Sequence, residues 1–146
     1  MKIFLLFIFV SIGMTQASFA GDDYWNGNWS GSYQLVIQDE QPVECAIELR
    51  MNSDQNEVGL RQILTNGCGW DMSILLDRRG KNLFFNGVQV GTIDSEQIEI
   101  QNLDLEEKGI KYSAAFLRQA DDSLILKESS EFSSGLTDRA IGRLQR

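Results

Sequence analysis

From residue 27 to residue 40, in GNWSGSYQLVIQDE, every second position is apolar or small. Trp29, Gly31, Tyr33, Leu35 and Ile37 fall on one face of an extended chain, and Ser30, Ser32, Gln34 and Gln38 fall on the other. That is the period of a half-buried β-strand. The next segment, 43–51, repeats it, with Val43, Cys45, Ile47, Leu49 and Met51 on one side and Glu44, Ala46, Glu48 and Arg50 on the other. Further runs follow at 57–64, 69–76, 82–85, 88–93, 97–103, 110–118, 124–131 and 137–144. The pattern predicts about ten strands and no convincing helix.

The punctuation between the runs predicts how they connect. Asn66-Gly67 and Asn86-Gly87 each separate two apolar runs. Asn-Gly tolerates the two positive φ angles of a type I′ hairpin turn. Gly80 suits a slightly longer hairpin, and QADDSL and SSGLTD read as polar turns. Such short links leave no room for crossover helices, so neighbouring strands are expected to be antiparallel. A meander of this many strands must close or fold on itself to manage its edges. An all-β, antiparallel up-and-down barrel of about 8–10 strands is the predicted fold, with a β-sandwich as the alternative. A membrane-spanning barrel is not expected, because Glu44, Glu48 and Arg50 on the outer face would not tolerate lipid.

Residues 1–20, MKIFLLFIFVSIGMTQASFA, read as a cleaved signal peptide. Lys2 opens it, residues 3–10 are wholly apolar, and Ser18 and Ala20 are small residues at the cleavage positions. The apolar run is too short to span a bilayer. Residues 21–146 are then expected to form one exported domain, in a periplasm or outside the cell. The chain carries 13 Lys plus Arg against 21 Asp plus Glu, a net charge of −8. Loss of Lys2 makes it more acidic still. This balance argues against nucleic acid and anionic lipid, and favours a neutral small molecule or a basic protein.

Gly27-Asn28-Trp29 at the head of an alternating strand resembles the Gly-x-Trp opening of lipocalins and their calycin relatives. The resemblance implies an up-and-down barrel with a small, often apolar, molecule inside. It also implies that Trp29 closes one end of the barrel, packed by an arginine of the last strand, for which Arg143 is a better match than Arg139. The chain departs from the family in lacking a Thr-Asp-Tyr motif and a C-terminal helix. Trp29 as ordinary core packing is the alternative.

Candidate chemistry is sparse. The chain has no histidine, which excludes His-dependent nucleophiles, imidazole metal sites and the histidine-ligated haem of a related barrel family. The acid pairs Asp22/Asp23, Glu106/Glu107 and Asp121/Asp122 fall at the terminus or in turns, so no enzymatic role is expected. NSDQNE starts like a calcium loop but has Glu57 where Gly is needed and Ile63 where Glu is needed. Asn28-Trp29-Ser30 fits the N-glycosylation pattern. No metal and no cofactor is called for.

Cys45 and Cys68 are the only cysteines, and in an exported chain they are expected to pair. A tight turn at Asn66-Gly67 would hold them two strand spacings apart, about 10 Å. A disulfide needs Cα atoms within about 7 Å. Either the TNGCG loop folds over the barrel end, or the turn is wider.

The inward set predicts a cavity lined by Tyr33, Leu35, Ile47, Leu49, Leu60, Trp70, Met72, Phe85, Val90, Ile100, Tyr112 and Phe116, with Gln62 and Glu128 as polar members of the same face. A fully packed core is the alternative. The expected function is an exported barrel that binds a small apolar or amphipathic ligand inside. The alternatives are an interaction protein, such as an inhibitor of a basic enzyme, and a purely structural role.

Overall fold

The structure, a computed structural model, describes residues 22–65, 68 and 71–146. The expected leader and Trp70 lie outside the described residues. A four-residue helix, α1 (Asp22–Trp25), leads into ten antiparallel strands. These are β1 (Gly27–Ile37), β2 (Val43–Ser53), β3 (Glu57–Thr65), β4 (Met72–Arg79), β5 (Asn82–Phe85), β6 (Val88–Ile93), β7 (Gln97–Leu105), β8 (Ile110–Arg118), β9 (Leu124–Phe132) and β10 (Thr137–Gln145).

Each strand pairs with its neighbours in sequence, and β10 returns to β1, closing the barrel. Closure removes the free edges that a sandwich would leave. The closing seam places Tyr33 opposite Gly142 and Gly31 opposite Leu144. A Cβ on Gly142 would sit 2.3 Å from that of Tyr33, so glycine there lets the large ring turn inward. Apolar residues of all ten strands face the interior, and among the described residues no helix is long and apolar enough to cross a membrane.

The hairpin turns follow the local chemistry. Asn86 (φ 50°) and Gly87 (φ 80°) form the predicted left-handed pair between β5 and β6. Asp54 and Asp94 each turn a side-chain oxygen onto two backbone N–H groups, at 2.7 and 2.9 Å and at 2.8 and 2.9 Å. The carboxylate of the calcium-like stretch is thus occupied in shaping its own turn.

Two local expectations are corrected. The fourth strand starts at Met72, not at residue 69, and the expected Asn66-Gly67 turn lies outside the described residues. Cys68 lies between β3 and β4, outside any strand, with its Cα 5.8 Å from that of Cys45 and a disulfide between them. Cys68 is not part of the β3–β4 ladder, which removes the spacing conflict.

The second correction concerns the arginine. Arg143 pairs with Ser32 on the outward side of the seam, where it contacts Asp121 and Ser123. Arg146 lies over the Trp29 ring instead, 4.7 Å from its centroid. Alternation is the reason. Trp29 shares a face with Gly31 and Tyr33, whose partners are Leu144 and Gly142, so the packing arginine needs an even position.

Candidate functional site

The two ends of the barrel differ. The end where β1 begins is closed by α1 and its aromatic rings. The rings of Tyr24 and Trp25 lie 5.0 Å apart and those of Tyr24 and Trp29 lie 5.3 Å apart, in edge and tilted geometry. The plug is tied to two turns and to the end of β2. Tyr24 donates to the Ser123 carbonyl at 2.8 Å, Trp25 Nε1 to the Asp94 carbonyl at 2.8 Å, and Asn26 Nδ2 to the Ser53 carbonyl at 3.1 Å. Arg146 adds a bond to the Tyr24 carbonyl, and the Arg118 guanidinium lies 4.3 Å from the Tyr24 ring.

The other end holds a cavity of about 340 Å³. Its walls are apolar, with Leu35, Leu64, Met72, Phe132 and Leu136, and the Cys45–Cys68 bridge stands at its rim. Its floor is polar. Tyr112, buried on β8, donates its hydroxyl to Glu128 Oε1 at 2.5 Å. Gln62, buried on β3, donates Nε2 to Glu128 Oε2 at 3.1 Å. Gln62 Oε1 is buried with no partner at hydrogen-bond geometry, and the Tyr33 hydroxyl lies beside the same amide. Beside them Asp138, at the start of β10, is hydrogen-bonded by Ser130 of β9.

Burial dominates the electrostatics. It raises Glu128 above its ordinary range against the hydrogen bonds of Tyr112 and Gln62, and the Asp138 charge adds to the rise. Asp138 is raised by burial too, opposed by Ser130. Burial, then the Glu128 charge, pushes the Tyr112 hydroxyl far up. Tyr33 is raised by the same two causes, and by Asp138, while Gln62 eases it. Both phenols stay neutral through the physiological range.

Of the residues expected at a cavity, Tyr33, Leu35, Gln62, Met72, Tyr112 and Glu128 line this one. Ile47, Leu49, Leu60, Ile100 and Phe116 are instead packed in the core, at most 1% exposed. Phe85 and Val90 line a separate recess outside β4, shared with Met72 and rimmed by the exposed acids Asp104, Glu106 and Glu107. They are displaced because β5 and β6 are short. β4 pairs with β5 only through residues 77–79, and β6 with β7 only through 91–93, so the wall parts on that side. That recess, about 680 Å³, is larger, but its acids are solvated, whereas the interior cavity holds buried polar atoms.

Sequence reasoning missed Ser130 and Asp138. The signal was present. Ser130 shares the parity of Glu128, and Asp138 that of Ala140 and Leu144, so both point inward.

The fold defines a closed ten-stranded up-and-down barrel with one plugged end and one open, polar-floored cavity. Among solved structures it is similar to a protein of unknown function from the DUF3598 family of Nostoc punctiforme, with a TM-score of 0.64 and 14% identity. The alignment covers 85% of this chain and 48% of that one, so the chain spans about half the length of that neighbour. No protein-family model matches the chain, and no curated protein matches it. The likeness establishes the barrel architecture alone.

Proposed function

We propose that the protein binds a small amphipathic molecule in the open-end cavity, with the apolar walls taking the tail and the floor taking the polar head. The observation that carries this is Gln62 Oε1, a buried acceptor without a partner at the floor of an apolar-walled cavity. Buried polar atoms are rarely left unpaired, and a ligand donor satisfies this one. The lipocalin-like Gly-x-Trp opening supports the same reading. The proposal places the protein in an exported compartment, with which the Cys45–Cys68 disulfide is compatible.

Native mass spectrometry of the oxidised protein from its own compartment tests it. The expected result is a reproducible added mass that leaves on denaturation. A bare mass, together with no uptake of the neutral fluorophore N-phenyl-1-naphthylamine, overturns the reading.

A basic protein partner is the second reading. Its support is the exposed run Asp104, Glu106 and Glu107. By contrast, Asp121 and Asp122 are engaged by Arg143 and Arg118. Inhibition assays against basic secreted hydrolases check this reading, and inhibition unaffected by charge reversal at Glu106 and Glu107 counts against it.

A further inference from the structure

We infer that the occupant of this cavity carries a protonated amine, whose N–H groups are received by Glu128, Gln62 and Asp138. The inference rests on the cavity reading above and specifies the chemistry of the head group.

Most donors of the floor are committed; the Tyr33 hydroxyl, beside the Gln62 amide, is the one not given to a carboxylate. The Tyr112 hydroxyl and the Gln62 amide go to Glu128, and Ser130 goes to Asp138. Against that single hydroxyl stands a larger acceptor capacity. Gln62 Oε1 is orphaned, and each carboxylate oxygen keeps a further lone pair. None of the described residues lining the cavity is a lysine or an arginine, so two carboxyl groups share a low-dielectric site without a cation. A protonated amine supplies several N–H donors and the missing charge together. An alcohol supplies one donor and no charge. A carboxylate head supplies no donor and meets like charge out of water.

The titrating groups facing the site come from four strands. They are Tyr33 on β1, Tyr112 on β8, Glu128 on β9 and Asp138 on β10, with Gln62 on β3 and Ser130 on β9 as the non-ionising members. Burial raises both carboxyls, so ionising them in the empty cavity is costly. An ammonium offsets that cost. Its binding therefore draws protons off the pair, and amine affinity rises with pH while the carboxyls titrate.

The test is calorimetric titration of the oxidised protein with three probes that share one tail: n-octylammonium, 1-octanol and octanoate. At about pH 7.5, n-octylammonium remains charged, as a lysine does. We expect it to bind at least about tenfold more tightly than 1-octanol, with octanoate weakest. Its affinity should fall as the pH is lowered towards the range where both carboxyls are protonated. Glu128→Gln, and separately Asp138→Asn, should reduce the preference for the amine over the alcohol. If octanol or octanoate binds as tightly as the amine to wild-type protein, the head-group inference fails and the cavity reading survives. If none of the three binds, both fall. Neither comparison depends on a variant folding.

Discussion

The guanidinium of Arg146 lies 4.7 Å from the centre of the Trp29 ring, across the seam where the last strand meets the first. It also reaches the carbonyl and the ring of Tyr24, so one side chain holds the plug against the wall. Arg143, three residues earlier, makes a solvent-exposed pair with Asp121. Arg146→Ala should therefore cost about 1.5 kcal/mol through the lost cation–π contact and the charged hydrogen bond. Arg143→Ala should cost only about 0.5 kcal/mol, as exposed pairs do. Urea unfolding of both variants checks the order. The reverse order would return the Trp29 packing role to Arg143.

Closure of the barrel depends on small residues at the same seam. A methyl at position 142 would meet both the Tyr33 side chain and the Ser32 carbonyl, at 2.3 and 2.8 Å. Gly142→Ala should destabilise by about 1–3 kcal/mol, the usual range for forcing extra carbon into a packed site. Amide exchange should rise first along Gln34 and Ile141, which face each other in the same ladder. Uniform exchange across the barrel would argue against a seam-specific effect.

The disulfide joins residues 23 apart. Its removal by Cys45→Ser with Cys68→Ser should lower stability by about 3 kcal/mol in the chain-entropy account. The loss concerns the open rim, so the plug should stay intact and the near-ultraviolet signal of Trp25 and Trp29 should persist below the unfolding transition. Early loss of that signal would mean that the rim and the plug are coupled.

Glu128 and Asp138 hold their protons to higher pH in the folded chain than their ordinary 4.5 and 3.8. Between those values and the folded ones the native state binds more protons than the unfolded state, so their contribution to stability falls as pH rises. Glu128→Gln removes that loss. Gln62 keeps a partner there, because its amide can rotate to present Oε1 to the new side-chain N–H. The variant should exceed wild type in stability at about pH 8, with the gap closing by about pH 3, below both ordinary values. Asp54 and Asp121 are lowered by their hydrogen bonds, so they stabilise above their ordinary range and cease to as pH falls through their folded values. They are common to both proteins and cancel in the difference. A gap that widens on acidification would contradict the assignment.

Strand alternation was legible because it is local. A residue's face is set by its parity, and the runs from Trp29 to Ile37 and from Cys45 to Met51 announce theirs. The Asn86-Gly87 turn was legible for the same reason, since positive φ is a property of two adjacent residues. Six of the fifteen residues that line the cavity followed from parity as well, including its unusual members Gln62 and Glu128.

Depth along the barrel is not local. Ile47 and Phe116 share a face with Tyr33 and Tyr112 but lie in the packed core, because the plug fixes which end is filled. Phe85 turns to a different recess because β5 and β6 are too short to complete the wall. Arg146 over Trp29, and Cys68 beside Cys45, depend on contacts across the seam and beyond the β3–β4 ladder. The sequence by itself determined an antiparallel β-chain with one apolar face, since alternation and turn chemistry act between near neighbours. Only the tertiary structure decided that the face closes into a ten-stranded barrel with a filled end and an open end. Those outcomes depend on inter-strand register and on contacts as distant as Tyr24 with Ser123, which no short window of sequence contains.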